Sequence, residues 1–581
     1  MFGADAGRGA AEDVYGLTIK KILLYINTVK YLKGIQIWYQ LQNRISGRRQ
    51  EKILKRILAI DNIPQMKPVS VMIPALDSEP NYLARFRVGS LLKNEVEILH
   101  EKHAIDLKEW EVTEASHLWN YNLQYLEFLI PLAAAGRNDE SGQCFQKWCE
   151  YVDSWIDHPA KDSFAPYTIS MRIPNLLICM NILREKIQGS ELESKLIKSI
   201  YQQYCYLLLT QELALLANHY FENLKTILIC SALFGEQDDY KKYFARFCDQ
   251  IKEQVLADGI HYERSIMYHK IILEDILRVY SVLESRREYQ KDAGKMLAVI
   301  GHMAEALASI SRGFSQTPLF NDAGNNVAKD TDSLLEAVQE ITGHPISDEQ
   351  TTFVKSGYYK LYAGENTLLF DCGPIGPSYM GGHAHCDCLS FELARGRKTV
   401  FINSGTYQYQ GRLRKFFRST AAHNTIMIDD REQAELWGEH RAARKMSGIE
   451  CKINGQTISG RFRSFHGDCF CRKIELTERV LRITDKVLVN DRKEHVARQF
   501  FHISSTCRFM LDTMTRISVW DDEKEQAVIH LPLESECLIH REGDICFLAQ
   551  DFGELKRKEV LEIRTPFVRR LEVAVMIELS E

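Results

Sequence analysis

Several features that would set the chain apart are missing. No Pro-, Gly- or Ser-rich tract and no low-complexity block interrupts the 581 residues, and 45% hydrophobic and 26% charged residues are ordinary globular usage. The chain is therefore expected to fold nearly throughout. The fifteen Cys, an odd number, lack both paired Cys-x-x-Cys spacing and a compact disulfide framework, which reads as reduced, mostly structural thiols. No apolar window is long enough to span a bilayer, and the opening MFGADAGRGAAEDVYG has charges where a signal peptide needs an apolar core. As it stands the sequence reads as cytoplasmic, or as periplasmic or secreted if an export signal has been trimmed from it. A surplus of one charge sign is also missing: 73 Lys and Arg stand against 78 Asp and Glu, a formal net charge of −5. That argues against a surface built throughout to hold a polyanion, while a local basic cleft stays open; neither nucleic acid nor a membrane is expected as a partner, and an oligomer stays open. The run Arg412, Arg414, Lys415, Arg418 and then Arg441, Arg444, Lys445 is the candidate for such a cleft, with a solvated loop or strand edge as its other reading.

What is present is a change of period along the chain. At this length at least two packed units are expected. From about Tyr15 to Ile60 a basic segment has apolar residues at three- and four-residue intervals, as in ILLYINTVKYLKGIQIWYQLQNRI, the spacing of helices. Prolines at 64, 68, 74 and 80 break it, with a short strand predicted in VSVMI. Helical periodicity then dominates from His117 to Ile341, without a repeat of fixed period, which fits paired helices curled into an incomplete toroid. Near Gly357 the period becomes two, in segments such as YYKLYAGENTLLFDCG, HNTIMIDD, RISVWDD and LEVAVMIEL, implying antiparallel strands in stacked sheets. The expected architecture is an α+β multidomain chain: a helical segment and connection over 1–105, an incomplete (α/α) toroid over 106–345, and an antiparallel β-sheet, sandwich-like domain over 346–581.

Three polar clusters stand out. In Gly382-His383-Ala384-His385-Cys386-Asp387, an extended strand would put His383, His385 and Asp387 on one face, either as a metal or catalytic site or as a solvated sheet face. In Asn218-His219-Tyr220-Phe221-Glu222, Asn218 and Glu222 lie one helical turn apart, though Asn218 is also a natural N-cap. Asp258 to His269 reads as a polar loop leading into a helix that Ser265 can cap, with Tyr268 in its first turn.

Taken together these motifs resemble the heparinase II/III family: NHYFEN, DGIHYERSIMYHKIILED, GHAHCDCLSFEL, and INSGTYQY followed by RKFFRSTAAHNTIMIDD occur in the family's order over more than two hundred residues. The resemblance implies a toroid followed by a β-sheet domain and β-elimination at a uronic acid, in which a weakly acidic C5 proton is removed beside a carboxylate whose charge must be dispersed. It implies Asn218, alone or with His219, as carboxylate holder, and Tyr268 and His383 as base and acid in an order the sequence leaves open. For Tyr268 to act as base its pKa must fall, a task for His383, His269 or Arg264. His219, Glu222, Trp119, Tyr121, Arg172, Arg264 and Trp437 are the candidate substrate-binding residues; Trp119 and Tyr121 have a core role as the alternative, and Arg172 a helix-end carbonyl. Some relatives bind one divalent metal in the β domain (Zn, Mn or Ca), which puts His385, Asn403 and His423 in ligand positions; many relatives carry Asp where Asn403 stands, a weaker ligand. No organic cofactor is implied. The implied substrate is an anionic glycan: a glycosaminoglycan such as heparan sulfate, chondroitin or hyaluronan, or an alginate-like polymer. A hydrolase using Glu222 and Glu263, or a noncatalytic accessory of polysaccharide synthesis, are the alternative readings.

Overall fold

The computed structural model describes residues 19–45, 47–68, 70–522 and 524–580. The opening MFGADAGRGAAEDVYG, with Tyr15, lies outside the described residues. Helices at residues 19–29, Gly34–Ile45 and Gly47–Leu58 lead into a connection of short helical turns, Pro74–Asp77, Pro80–Ala84 and Val88–Leu91. The strand predicted in VSVMI is not formed among the described residues there; the extended pair of this region is the hairpin of Glu95–Ile98 with Glu101–Ala104. Two prolines close by and the Asp77 carboxylate, which accepts the Ile73 N–H at 2.8 Å, turn the chain into a helix instead.

The toroid is built from helices including Gln143–Asp157, Pro166–Ile182, Glu191–Thr210, Ala217–Phe234, Gln237–Gln254, Ile266–Glu284, Leu297–Ser311 and Thr331–Thr342. Ala217–Phe234 is central: almost every residue is buried, including Asn218, Glu222, Asn223 and Lys225, and Gly235 ends it in the left-handed region at φ 73°. A helix buried all round cannot be amphipathic, and its polar residues must therefore find partners inside. Ile266–Glu284 starts on Ser265, whose Oγ accepts the Tyr268 N–H at 3.2 Å as expected for an N-cap.

The β half holds a five-stranded meander running in order from Thr352–Phe353 through Tyr358–Ala363, Asn366–Asp371 and Phe391–Arg395 to Lys398–Phe401. It also holds an eight-stranded sheet that places Arg570–Leu579 between Val480–Leu488 and Glu525–His530, and a four-stranded sheet centred on Val560–Val568 and Glu494–His502. The named pairs are antiparallel. Strict alternation of buried residues in Cys469–Leu476 and Val480–Leu488 points one face of the large sheet inward, where Phe370, Phe391, Phe401, Ile474, Ile483, Phe501, Ile563 and Val575 share one apolar core with the other two sheets.

Candidate active site

A cleft of about 1190 Å³ lies between the helical and β halves. Ala217–Phe234 contributes Asn218, His219, Glu222 and Lys225 to its wall; Ile266–Glu284 contributes Tyr268; the β half contributes His383, Tyr409, Trp437 and His440. The first turns of two helices thus face a loop of the β domain, which brings together residues 165 positions apart in sequence.

The chemistry centres on Asp322, in the loop after Leu297–Ser311. Its fully buried carboxylate is met by His383 Nδ1 at 2.8 Å, His385 Nε2 at 2.8 Å and both terminal nitrogens of Arg414. Burial works against this charge, but Arg414 and the two imidazoles outweigh it and hold the carboxyl well below the usual carboxylate range. An ionised carboxylate can only accept, so both histidines donate to it, His383 through Nδ1 and His385 through Nε2. Nε2 points toward Glu263, 3.8 Å away. Neither Glu263 oxygen has a hydrogen-bond partner, and burial raises this carboxyl despite the nearby His383.

Beside His383, its ring centroid 4.1 Å away, stands Tyr268, whose hydroxyl shares a 2.7 Å hydrogen bond with the Tyr409 hydroxyl. Burial pushes the Tyr268 hydroxyl well above its ordinary pKa, with Tyr409, Tyr167 and Asp322 adding to the shift. The lowering by positive charge that a base role would need is absent. His269 is brought down to about 4 by burial and is neutral, and Arg264 is occupied elsewhere. Tyr268 therefore carries its proton. Opposite, His219 Nδ1 faces Glu212 Oε1 at 3.0 Å; burial opposes the imidazolium, but the Glu212 carboxylate outweighs it and raises the pKa. Asn218 Oδ1 is buried without a partner.

The expected clustering of His383, His385 and Asp387 on one strand face is corrected: residues 381–390 form a loop, and strand begins at Phe391. His383 and His385 converge because both bond Asp322, whereas Asp387 turns to the Asn321 N–H at 2.8 Å. Of the substrate-binding candidates, His219, Glu222, Tyr121 and Trp437 line the cleft. Trp119 does not: it is fully buried, its indole N–H donating to the Glu101 carbonyl at 3.0 Å. Arg172 is likewise internal, bonded to Gln203 Oε1 and the carbonyls of Gln124 and Ser163 with its guanidinium over Trp155. Arg264 clamps the two halves together, donating to the carbonyls of Ser356 at 3.0 Å and of Tyr262 and Gly376 at 2.8 Å. Of the basic run, only Arg441 and Lys445 reach the cleft; Arg414 and Arg418 are buried in the Asp322 loop system. Asp322 and the tyrosines 125 and 167 beside Tyr121 carry no local motif that singles them out, whereas Tyr409 and Arg414 lie within INSGTYQY and RKFFRSTAAHNTIMIDD without a site role being legible there.

The hydrolase alternative needs two carboxyls facing one bond. Glu222 is ion-paired to Lys225, which also meets Asp275 at 2.6 Å, and Glu263 sits behind His383, outside the cleft lining. The metal candidates His385, Asn403 and His423 are all fully buried, with His385 Nδ1 and both His423 nitrogens lacking hydrogen-bond partners and the two rings 5.3 Å apart. Asn403 Oδ1 accepts the Asn424 N–H at 3.1 Å and keeps its second lone pair, a neutral oxygen where a carboxylate would bind more strongly. The Lys558 amine is buried against Ser404 Oγ at 2.8 Å, and burial brings it down to about 7. Two imidazoles with unpartnered nitrogens and one neutral amide oxygen would be the residues to hold such an ion, a weaker set than one that includes a carboxylate.

Comparison with known proteins adds ancestry to this geometry. A family model described as heparinase II/III N-terminus matches residues 87–343, and one described as heparinase II/III-like, C-terminal, matches residues 346–572. A heparin-sulfate lyase of Bacteroides thetaiotaomicron is 22% identical over 382 residues, 55% of this chain and 53% of that protein. One from Pedobacter heparinus is 24% identical over 208 residues, 31% of this chain and 30% of that protein. The chain spans about half the length, or less, of these relatives. Among solved structures, heparinase III matches with a TM-score of 0.69 at 15% identity, covering 94% of this chain and 91% of that one. A heparan sulfate lyase from Pedobacter heparinus matches with a TM-score of 0.59 at 14% identity, covering 92% and 88%. The helical half followed by stacked sheets is a fold shared with both.

Proposed function

Because the chain belongs to the heparinase II/III family, we propose that it is a polysaccharide lyase acting by β-elimination on a uronate-containing glycan, with His383 as base and Tyr268 as acid. The observation that carries this reading is the Asp322–His383 pair set beside a protonated Tyr268 and opposite Asn218 and His219. A uronate carboxylate held by the His219 imidazolium and the Asn218 amide has part of its charge neutralised, which acidifies the C5 proton. His383 Nε2 takes that proton, and Asp322 stabilises the imidazolium that results. The electron pair of the broken C5–H bond becomes the C4=C5 double bond as the C4–O4 bond breaks, and Tyr268 passes its proton to O4. The adjoining His383 imidazolium then returns a proton to the Tyr268 phenolate. The names of the relatives favour a glycosaminoglycan of the heparan sulfate kind over an alginate-like polymer.

The test is incubation with heparan sulfate, chondroitin, hyaluronan and alginate while following ultraviolet absorbance of the new double bond. New reducing ends without that absorbance would overturn elimination in favour of hydrolysis. No step above passes through a metal, so exhaustive treatment with a chelator is expected to leave turnover unchanged. Loss of activity restored by one divalent ion would instead assign that ion to His385 and His423.

A further inference from the structure

The net charge of the whole chain conceals one segment of opposite character. Residues 19–58 contain ten Lys or Arg and a single acidic residue, Glu51. Within it, Ile19, Ile22, Leu23 and Ile26 follow the spacing of one helical face, as do Ile35, Trp38 and Leu41 on the next helix, and all seven are exposed, Trp38 at 67% and Ile26 at 59%. Nine of the twenty-one exposed large apolar side chains among the described residues lie between positions 19 and 41. These faces are not left over from unfinished internal packing, because the inward faces are already engaged. Thr28 Oγ1 accepts the Trp437 indole N–H at 2.9 Å, Tyr25 packs edge-on to Trp437, and Gln36 donates to the Leu215 carbonyl at 3.1 Å. The exposed Lys20, Lys21, Lys52, Lys55 and Arg56 have no carboxylate partner among the described residues.

We propose that these N-terminal helices dock the protein on an anionic lipid surface, with the apolar stripe entering the headgroup boundary and the lysines meeting lipid phosphates. A stripe of Ile, Leu and Trp edged by Lys is the pattern of a helix that lies in a membrane interface. A second copy of the chain is a poorer occupant, since like faces would bring two sets of unpaired cations together. A soluble polyanion has no use for the apolar stripe. The mode differs from spanning, for which no helix among the described residues is long and apolar enough, and it departs from the expectation of no membrane partner. The segment also precedes residue 87, where the family match begins. Tyr25, Thr28 and Val29 of the same helix line the cleft, so docking would hold the cleft about one helix diameter, ~10 Å, behind the lipid surface. A glycan still attached to a membrane carrier, or emerging at a membrane, would be within reach.

The test is flotation of the full chain with vesicles of phosphatidylcholine alone or mixed with phosphatidylglycerol. Binding is expected to the mixed vesicles only, to weaken as salt is raised, and to blue-shift tryptophan emission as Trp38 leaves water. The triple variant I22S/I26S/W38S, whose positions do not line the cleft, is expected to lose at least about tenfold in vesicle partitioning while keeping the parent melting temperature. Failure to float with either vesicle, or equal flotation with both, would overturn the proposal. So would light scattering that shows a dimer which this variant converts to monomer, because the stripe would then be covered by a second copy.

Discussion

At the scale of single residues, the site depends on which groups hold protons. Tyr268, kept protonated by burial, is suited to donate to a leaving oxygen. Tyr268→Phe is expected to lower kcat by about 10²–10⁴ with little change in KM. A substrate carrying fluoride at C4 needs no acid, and the variant should turn it over at near the parent rate, measured by ultraviolet absorbance. A defect that persists on that substrate would make Tyr268 the base instead. His219 supplies a pH dependence of known sign. Its pKa is raised chiefly because Glu212 outweighs burial, so the imidazolium persists below that raised value and is lost as pH rises through it. Substrate affinity is therefore expected to weaken on the alkaline side, and His219→Gln should flatten that limb of the kcat/KM profile. An unchanged limb in the variant would remove His219 from carboxylate binding.

At the scale of elements, the helix carrying Tyr268 and the loop carrying Asp322 are joined through one hydroxyl. Ser265 accepts the Tyr268 N–H and donates to the Asp322 carbonyl at 2.5 Å. Ser265→Ala removes a helix cap and leaves the Asp322 carbonyl short of a donor, a cost of about 1 kcal/mol visible in thermal unfolding. Because Tyr268 and the Asp322 partner of His383 both move with these elements, kcat should fall together with stability if the proposed roles hold. An N-cap at Ser265 is legible from Ser265-Ile266-Met267-Tyr268, whereas its second bond is not, because Asp322 is 57 residues away. The same limit explains the missed strand at VSVMI: local β-propensity is there, but Asp77 closes the segment into a helical turn.

At the scale of the whole molecule, the cleft exists only if the halves keep their setting. Arg264 of the helical half donates to carbonyls of the β half from a buried position, and a lysine cannot reproduce that fan of bonds. Arg264→Lys is therefore expected to reduce kcat/KM by about tenfold or more, since a small misplacement of His383 against Tyr268 is enough. Circular dichroism should meanwhile show each half still folded. Gly553, at φ +83°, sits where an added Cβ would meet the Leu99 carbonyl at 1.9 Å, a second contact between the halves that admits no side chain.

The sequence by itself determined the two halves and their order, because side-chain period is a local property: 3.6 residues in the toroid helices and two in strands such as Cys469–Leu476. It also supplied Asn218, His219, Tyr268 and His383, which lie in recognisable motifs. What only the tertiary structure decided is how these residues are partnered. In a toroid of buried helices, apolar periodicity does not tell a side chain that faces the cleft from one that faces the core, so Tyr121 reaches the cleft and Trp119, two residues earlier, does not. The proton on His383 is likewise assigned by Asp322 and Arg414, which come from different segments of the chain and meet only when it folds. Long-range electrostatics set the protonation state, and no spacing along the sequence encodes it.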